Sequence, residues 1–344
     1  MLRMSLRALN RWMLAAAVAA STVACGGAQK PPPDPDLVAD PVASDEAGIE
    51  KGAAQNDYQR ALAYIDKQQW DKANELLTKV LETSPDNADA HTYLGLVLEK
   101  KNDPAGAEKS YLAALALKPG HVMAAVNASG MYLTAKPPRV DEALKILDKA
   151  VAAVPDDPAL LQNLGHARAA KGDVAGSAKA FQSAIAKGDS LDLRLALANV
   201  YFDAKQFEQA VPHAKKVLEM NKDNVKVFAN VGFMFEYGKA FTECVTAFDR
   251  ALKLKADEPD WFLRRGRCKH ELGNDDAALE DYSASVRVKP DFAAGHLYMG
   301  MVQHQQQKLQ SAEASFKKAI ELGKDTPVGK LAAKKLRELQ TGKP

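Results

Sequence analysis

Beyond about position 54, apolar residues recur every three or four positions, in segments separated by short polar turns. This spacing places them along one face of an α-helix. The turns are rich in Asn, Asp, Gly and Pro, which interrupt helices; examples are KKNDPA (100–105), AAKGDVA (169–175) and ELGNDDA (271–277). The pattern therefore predicts an all-α protein built from a long series of amphipathic helices joined in pairs.

The helical segments also repeat with a period of about 34 residues. A small residue opens each repeat: Ala61, Gly95, Gly130, Gly165, Ala198, Gly232, Gly266 and Gly300. A second small residue follows twelve or thirteen positions later. It is alanine in six repeats, serine in one and cysteine in one: Ala73, Ala107, Ala143, Ser177, Ala210, Cys244, Ala278 and Ala312. Four positions further on stands a larger apolar or aromatic residue in every repeat but the one with Ala214: Leu77, Tyr111, Leu147, Phe181, Phe248, Tyr282 and Phe316.

These fixed positions have a common physical explanation. Two antiparallel helices approach closely only where both side chains are small, so the paired small residues predict the crossing point of a helical hairpin. The larger residue is expected to fill the wedge between one hairpin and the next, and Pro85, Pro119, Pro155 and Pro290 each end a second helix. One hairpin alone buries little apolar surface, so stability is expected to come from stacking.

This pattern resembles the tetratricopeptide repeat. The resemblance covers residues 54–325 and implies a right-handed superhelical solenoid of about eight units, with the third stretched by AKPPRV (135–140) and the first and fifth degenerate. Repeats are expected to begin near Ala54, Ala88, Met123, Pro158, Leu191, Val225, Pro259 and Ala293. Residues 326–344 carry one more amphipathic segment, which predicts a helix that caps the open end of the array, followed by a short tail.

The first residues differ in character from the repeats. Residues 1–24 have a basic start and a short apolar run, typical of a signal peptide. Thr22-Val23-Ala24-Cys25 resembles the bacterial lipobox, which implies acylation of Cys25, although Thr22 stands where leucine is usual. Residues 25–50, rich in Pro, Ala and Asp, predict an extended tether.

Gly26 after the cysteine implies, by the sorting behaviour of such lipoproteins, the periplasmic face of the outer membrane. The alternative is ordinary cleavage near Ala24, which would release a soluble periplasmic protein. The sequence leaves open whether Thr22 prevents lipidation.

The charge and motif content exclude several classes of function. With 46 basic and 44 acidic residues, the chain lacks the basic excess of a nucleic-acid binder. It contains no P-loop, no GxGxxG and no G-x-S-x-G motif, and HELGN at His270 lacks the second histidine of a zinc-protease helix. His296 and His304 are too far apart on one helix to share a metal. We therefore expect a protein that is not an enzyme, with no cofactor, no metal site and no small-molecule substrate.

Cys244 and Cys268 both occupy packed positions of the repeat. The favoured interpretation is that each is a small core residue. A disulfide between them is the alternative, since the signal peptide implies an oxidising compartment.

The family resemblance also implies a binding surface, because the first helix of each tetratricopeptide hairpin lines a concave groove. Transferring the inward-facing offsets predicts a partner-binding groove formed by Gln162, Asn163, His166, Asn199, Phe202, Asn230, Phe233, Tyr237, Arg264 and Arg267. Asn199, Asn230 and Arg264 also match three of five positions of the family's carboxylate clamp, but Leu195 and Asp260 replace its two lysines. Amides beside apolar side chains suit an extended peptide.

Together these features predict a scaffold that is tethered to the outer membrane and binds envelope proteins or extended peptides. The chain resembles lipoproteins that assemble type IV pilus secretins or take part in gliding motility. Two alternatives remain open, an adaptor that docks peptidoglycan enzymes or proteases and a soluble periplasmic chaperone-like binder.

Overall fold

The computed structural model describes residues 46–342, with side chains from residue 54 onward. The predicted signal peptide (1–24), Cys25 and most of the tether lie outside the described residues. The first helix begins at Glu46, so the last five residues of the predicted tether, 46–50, are helical.

The described residues form helices and no strands, and they divide into two compact units. The N-terminal unit, residues 46–189, contains α1 (Glu46–Asp66), α2 (Trp70–Thr83), α3 (Ala88–Lys100), α4 (Pro104–Leu117), α5 (Val122–Thr134), α6 (Val140–Ala153), α7 (Pro158–Lys171) and α8 (Val174–Lys187). The C-terminal unit, residues 190–342, contains α9 (Leu191–Asp203), α10 (Phe207–Met220), α11 (Val225–Tyr237), α12 (Phe241–Leu254), α13 (Pro259–Glu271), α14 (Asp275–Val288), α15 (Ala293–Gln305), α16 (Leu309–Gly323) and α17 (Pro327–Thr341).

The helices pair into hairpins, as the repeat predicts. The first helices of the second to eighth hairpins begin at or within one residue of the expected repeat starts. Side chains at the helix N-termini fix several of these boundaries. Asp157 accepts hydrogen bonds from the backbone amides of Ala159 and Leu160, and Asn224 accepts them from Lys226 and Val227. Such caps satisfy amides that have no partner within the helix.

The small residues lie at the crossing points. All eight second-position residues, from Ala73 to Ala312, are fully buried. Ser177 shows how close the two helices come, because its hydroxyl donates directly to the backbone carbonyl of Gly165, 2.7 Å away.

The large residue of each repeat packs more locally than the sequence predicts. In five hairpins an aromatic ring lies on the glycine of its own first helix, where an added Cβ would come within 2.6–2.9 Å of a ring carbon; the pairs are Gly95–Tyr111, Gly165–Phe181, Gly232–Phe248, Gly266–Tyr282 and Gly300–Phe316. The rings also reach the next hairpin, as Tyr111 does with Ala124 and Ala128. The wedge interpretation was therefore incomplete, because each ring also occupies the space that its own glycine leaves.

The third hairpin has a longer turn, residues 135–139, between α5 and α6. A cis peptide bond joins Lys136 and Pro137 within it. The amide of Arg139 donates to the Tyr132 carbonyl at 2.9 Å, which ties the end of the turn back to α5.

Helix α17 covers the end of the C-terminal unit. Val328 and Ala332 are buried against Leu297, Phe316 and Ala319 of the eighth hairpin, and Leu331, Leu336 and Leu339 pack beside them. These five residues of α17 form the apolar face that the sequence predicts for a capping helix.

The favoured interpretation of the two cysteines was wrong. Cys244 on α12 and Cys268 on α13 form a disulfide between consecutive hairpins, with their Cα atoms 6.3 Å apart and both side chains fully buried. This separation lies within the range that a disulfide spans. Spacing along the chain does not give it, because the two cysteines lie on consecutive helices, 24 residues apart.

Within residues 46–342, none of the helices combines the length and apolar character needed to cross a lipid bilayer.

Candidate functional site

Three of the ten predicted groove residues lie on α7 in the N-terminal unit. Gln162 is half-buried. The Asn163 side-chain amide donates to the Val126 carbonyl and to the Ser129 hydroxyl, both at 3.0 Å, and so links α7 to α5. Asn163 therefore acts mainly inside the protein, as a bridge between first helices.

His166 is buried and is not an open groove residue. It is 8% exposed, and its ring packs edge-to-face on Phe181 with 4.9 Å between the ring centroids. Burial lowers the pKa of His166 to about 4, because the imidazolium would lose its hydration there. The inward-facing offset had suggested a surface position, but the bulk of Phe181 covers the imidazole.

The other seven predicted residues lie in the C-terminal unit, where two amides meet. The Asn230 side-chain nitrogen donates to the Asn199 side-chain oxygen at 3.3 Å, which joins α11 to α9. Both side chains are half-buried. This bond uses one donor and one acceptor, so the Asn199 amide nitrogen and the Asn230 carbonyl oxygen remain to pair with a peptide backbone.

Arg264 is held by two carboxylates. Its Nε donates to Asp260 at 2.7 Å and its Nη1 donates to Glu236 at 2.6 Å. Burial by itself lowers the pKa of this guanidinium, but Asp260 and Glu236 outweigh burial and raise the pKa above the ordinary arginine value. The Arg264 guanidinium also lies over the Phe233 ring, 4.2 Å from its centroid.

This arrangement is not a carboxylate clamp. Asp260 brings a negative charge to a position where the family's clamp has a lysine, and Glu236 supplies a second one, so Arg264 has no net positive charge to offer. Leu195, at the other lysine position, packs against the hydrophobic core. Phe233 is also unavailable on both sides, because it packs on Phe248 as well as under Arg264.

Arg267 is more open. Its side chain is 40% exposed, its Nη1 lies 2.8 Å from Glu236 Oε1, and its guanidinium stands over the Tyr298 ring at 5.4 Å. Glu236 thus joins two arginines while its own side chain is only 8% exposed. The sequence gave no sign of this sharing.

Three aromatic rings form the most exposed apolar feature of this surface. Phe202, Phe207 and Tyr237, here called the aromatic cluster, have centroids 5.3, 5.5 and 5.4 Å apart, within the range of favourable ring contacts. Tyr237 is 48% exposed. Sequence reasoning found Phe202 and Tyr237 but missed Phe207, which begins a second helix and so lies outside the first-helix offsets.

The part of the chain that the structure describes contains no cluster of three or more His, Cys, Asp or Glu side chains placed to hold a metal ion. His270, singled out by the HELGN segment, pairs with Asp275 at 2.5 Å. The surface thus offers an aromatic cluster, an amide pair and arginine–carboxylate pairs.

A stack of helical hairpins with such a surface defines a class of protein-interaction arrays. A family model described as "Tetratricopeptide repeat" matches residues 58–122, 138–192, 241–291 and 271–327, and a second with the same description matches 191–224. These matches cover more than half of the chain, so the chain belongs to the tetratricopeptide repeat family. Members of this family act as protein-interaction scaffolds and bind peptides or proteins in their groove.

Individual relatives are similar over part of their length. The chain is 28% identical to human protein O-mannosyl-transferase TMTC1 over 153 residues, and this alignment covers 43% of this chain and 17% of that protein. It is 30% identical over 125 residues to a TPR repeat-containing protein of Pseudomonas aeruginosa, covering 36% and 21% respectively. The chain thus spans about a fifth of the length of these curated relatives.

Among solved structures, the C-terminal part of a TPR repeat-containing protein from Cytophaga hutchinsonii is similar, with a TM-score of 0.55 and 18% sequence identity. The match covers 70% of this chain and 98% of that one. At this identity it supports the fold alone.

Proposed function

We propose that this chain is a non-enzymatic scaffold that binds an extended segment of another envelope protein on the first-helix surface of its C-terminal unit. The observation that carries the proposal is the aromatic cluster together with the half-satisfied Asn199–Asn230 pair. An extended segment presents apolar side chains, which the rings can cover, and unpaired backbone groups, which the amides can pair.

The family's role as an interaction module supports this proposal. The transferase activity in the name of human TMTC1 is not assigned to this chain, because the match covers only 17% of that protein. The partner is therefore expected to be a protein or peptide, and the chain is expected to need no cofactor.

We further propose that Cys25 is acylated and that the chain is tethered to the periplasmic face of the outer membrane. The lipobox-like residues and Gly26 suggest this location. The Cys244–Cys268 disulfide independently supports an oxidising compartment such as the periplasm, where structural disulfides form and persist.

Labelling cells with radioactive palmitate tests the anchor. The native chain should incorporate label and fractionate with outer membranes, whereas Cys25→Ala should do neither. A native chain that stays unlabelled and soluble would favour the periplasmic chaperone-like alternative.

A pull-down from detergent-solubilised envelopes tests the surface. The native chain is compared with Phe202→Ala/Tyr237→Ala and with Leu254→Ala, a control whose side chain is 51% exposed on a second helix. We expect components of a pilus or motility machine to co-purify with the native chain and the control but not with the double variant. Hydrolases in their place would favour the adaptor alternative, and equal recovery with the double variant would refute the surface.

A further inference from the structure

Helix α4 in the N-terminal unit differs from the other second helices. Its sequence PAGAEKSYLAALAL has polar side chains only at Glu108, Lys109 and Ser110. One face is buried through Ala107 and Tyr111, as expected for a second helix. The outward side is open and carries Leu112 and Ala116 beside Lys109. Large apolar side chains exposed on such a surface mark a place that a partner can cover.

Two leucines carry this exposed apolar character. Leu112 is 41% exposed and Leu117 is 46% exposed, and both lie on α4. They are the most exposed of the large apolar side chains of the N-terminal unit, from residue 54 onward. The unusual composition of α4 is therefore matched by an unusual surface.

A groove runs beside Leu112, between α4 and α6. It has a volume of about 540 Å³, and its apolar floor is formed by Leu112, Leu115, Ala116, Pro119 and Ile146. Its size is typical of a binding pocket. The longer turn of the third hairpin lies at one end, where Arg139 lines the groove.

At that end the charged side chains pair with one another. Arg139 donates to both oxygens of Glu108, at 2.8 and 2.9 Å, and to Glu142 at 3.0 Å. The buried Tyr132 hydroxyl also donates to Glu108, at 2.8 Å, and the guanidinium lies over the Tyr132 ring at 4.2 Å. These contacts build a fixed wall in which one guanidinium is shared by two carboxylates, so this end of the groove does not attract an acidic residue of a partner.

The α6 side of the groove is different, because it carries Lys145 and Lys149. Neither lysine has an ion-pair partner among the residues that the structure describes. The acids on α6 are engaged elsewhere: Asp141 with Lys171, Asp148 with Arg168 at 3.7 Å, and Glu142 with Arg139.

Asp141 and Asp148 of α6 thus pair with residues of the next hairpin, whereas Lys145 and Lys149 line the groove. An apolar floor beside two unpaired lysines complements a partner that is apolar on one face and acidic along the edge of that face.

We propose that this groove, called the α4–α6 groove, docks an acidic amphipathic helix of a partner protein. Apolar residues of that helix at positions i, i+3, i+4 and i+7 cover Leu112, Leu115 and Ile146, and its acidic residues pair with Lys145 and Lys149.

A helix fits this groove better than an extended strand. The floor consists of side chains from helices whose backbone amides and carbonyls are already paired within the helices. A strand would therefore find no backbone partners along it, whereas a helix arrives with its own backbone groups satisfied.

This inference is independent of the proposed function. The α4–α6 groove lies on second helices of the N-terminal unit, whereas the proposed peptide surface lies on first helices of the C-terminal unit. Either can fail without the other.

The test uses fluorescence anisotropy with the mature chain and two labelled synthetic helical peptides. Both peptides have leucines at the i, i+3, i+4 and i+7 spacing; one has glutamates on the flanking positions and the other has lysines. We expect saturable binding of the acidic peptide, weakened by added salt, and binding of the lysine peptide at least about tenfold weaker.

Matched variants locate the site. Leu112→Glu and Lys145→Glu/Lys149→Glu should each weaken binding of the acidic peptide by about tenfold or more. Leu117→Glu, an equally exposed leucine that does not line the groove, and Lys179→Glu, an exposed lysine on α8, should leave it within about twofold. Circular dichroism checks that every variant is folded.

Three results would overturn the proposal. The first is no saturable binding of the acidic peptide, and the second is equal binding of the two peptides. The third is a set of observations with phosphatidylglycerol vesicles: the vesicles bind the native chain, they do not bind the Leu112→Glu variant, and they displace the peptide. That result would assign the groove to an anionic lipid.

Discussion

At the scale of single residues, the choice between glycine and alanine at the first small position follows the side chain that packs on it. Glycine costs a helix about 1 kcal/mol relative to alanine, so its presence needs a reason. In five hairpins an aromatic ring occupies the space that a Cβ would take. Alanine appears where the later residue is smaller, as in Ala61 with Leu77 and Ala198 with Ala214. Gly130 with Leu147 departs from this rule.

Gly232→Ala tests the rule. The new methyl would lie 2.9 Å from the Phe248 ring, which is held in the core of the C-terminal unit. We expect the free energy of unfolding, measured by urea denaturation, to fall by about 1–3 kcal/mol. Gly188→Ala is the control, because nothing lies within 4 Å of its added Cβ and its φ of −172° suits any residue.

The same substitution in a Phe248→Leu background should cost less, because the smaller leucine leaves room for the methyl. An equal cost in both backgrounds would mean that the ring contact is not the reason for the glycine.

His166 should make stability depend on pH. Its folded pKa, about 4, lies below the ordinary histidine value of about 6.5, so the unfolded chain binds a proton more readily between these values. Stability from the buried neutral imidazole is fully present above about pH 6.5, falls as the pH drops towards 4, and is lost by up to about 3 kcal/mol below that.

Urea denaturation between pH 4 and 7 measures this effect. His166→Gln should reduce the fall in unfolding free energy over that range relative to the native chain. If the two chains lose stability in parallel, the imidazole is not buried in its neutral form.

At the scale of helices, the disulfide is the covalent link between consecutive hairpins. It joins α12 to α13 across a separation of 24 residues, inside the core cluster that also contains Phe248 and Met234. A link of this span restricts the unfolded chain more than the folded one.

Reduction should therefore destabilise the C-terminal unit. Adding dithiothreitol should lower the free energy of unfolding of the native chain by about 3 kcal/mol, and should have no effect on Cys244→Ala/Cys268→Ala. Identical urea transitions for the native chain with and without reductant would show that the bridge does not stabilise the unit.

The sequence predicted the elements well but not all of the side-chain environments. The 34-residue recurrence and the polar turns set seven of the eight hairpin starts, because helical period and helix-ending residues act locally. The burial of His166 by Phe181 and the pairing of Arg264 with Glu236 depend on residues of other helices, and such contacts leave no local pattern. The Asp260–Arg264 pair differs, because its i,i+4 spacing on one helix is visible in the sequence.

Phe207 and the disulfide were missed or misjudged for related reasons. Phe207 joins the aromatic cluster from a second helix, although the family offsets consider only first helices. The cysteines occupy ordinary small-residue positions, so their pairing depended on a distance that spacing does not supply.

At the scale of the whole molecule, the two surfaces described above use different chemistry. The C-terminal unit presents aromatic rings and amides suited to an extended segment, and the N-terminal unit presents an apolar groove with unpaired lysines suited to an acidic helix. A scaffold with two such surfaces can hold two partners at once, and a lipid on Cys25 would keep both at the membrane.

The most direct test of the central claim, that the C-terminal unit binds a partner over its aromatic cluster, is site-specific photo-crosslinking in cells. Benzoylphenylalanine replaces Tyr237 in one strain and Leu254 in another, both exposed positions of the same unit. We predict a discrete covalent adduct with an envelope protein from position 237 and none from position 254. No adduct from 237, or the same adducts from both positions, would contradict the claim.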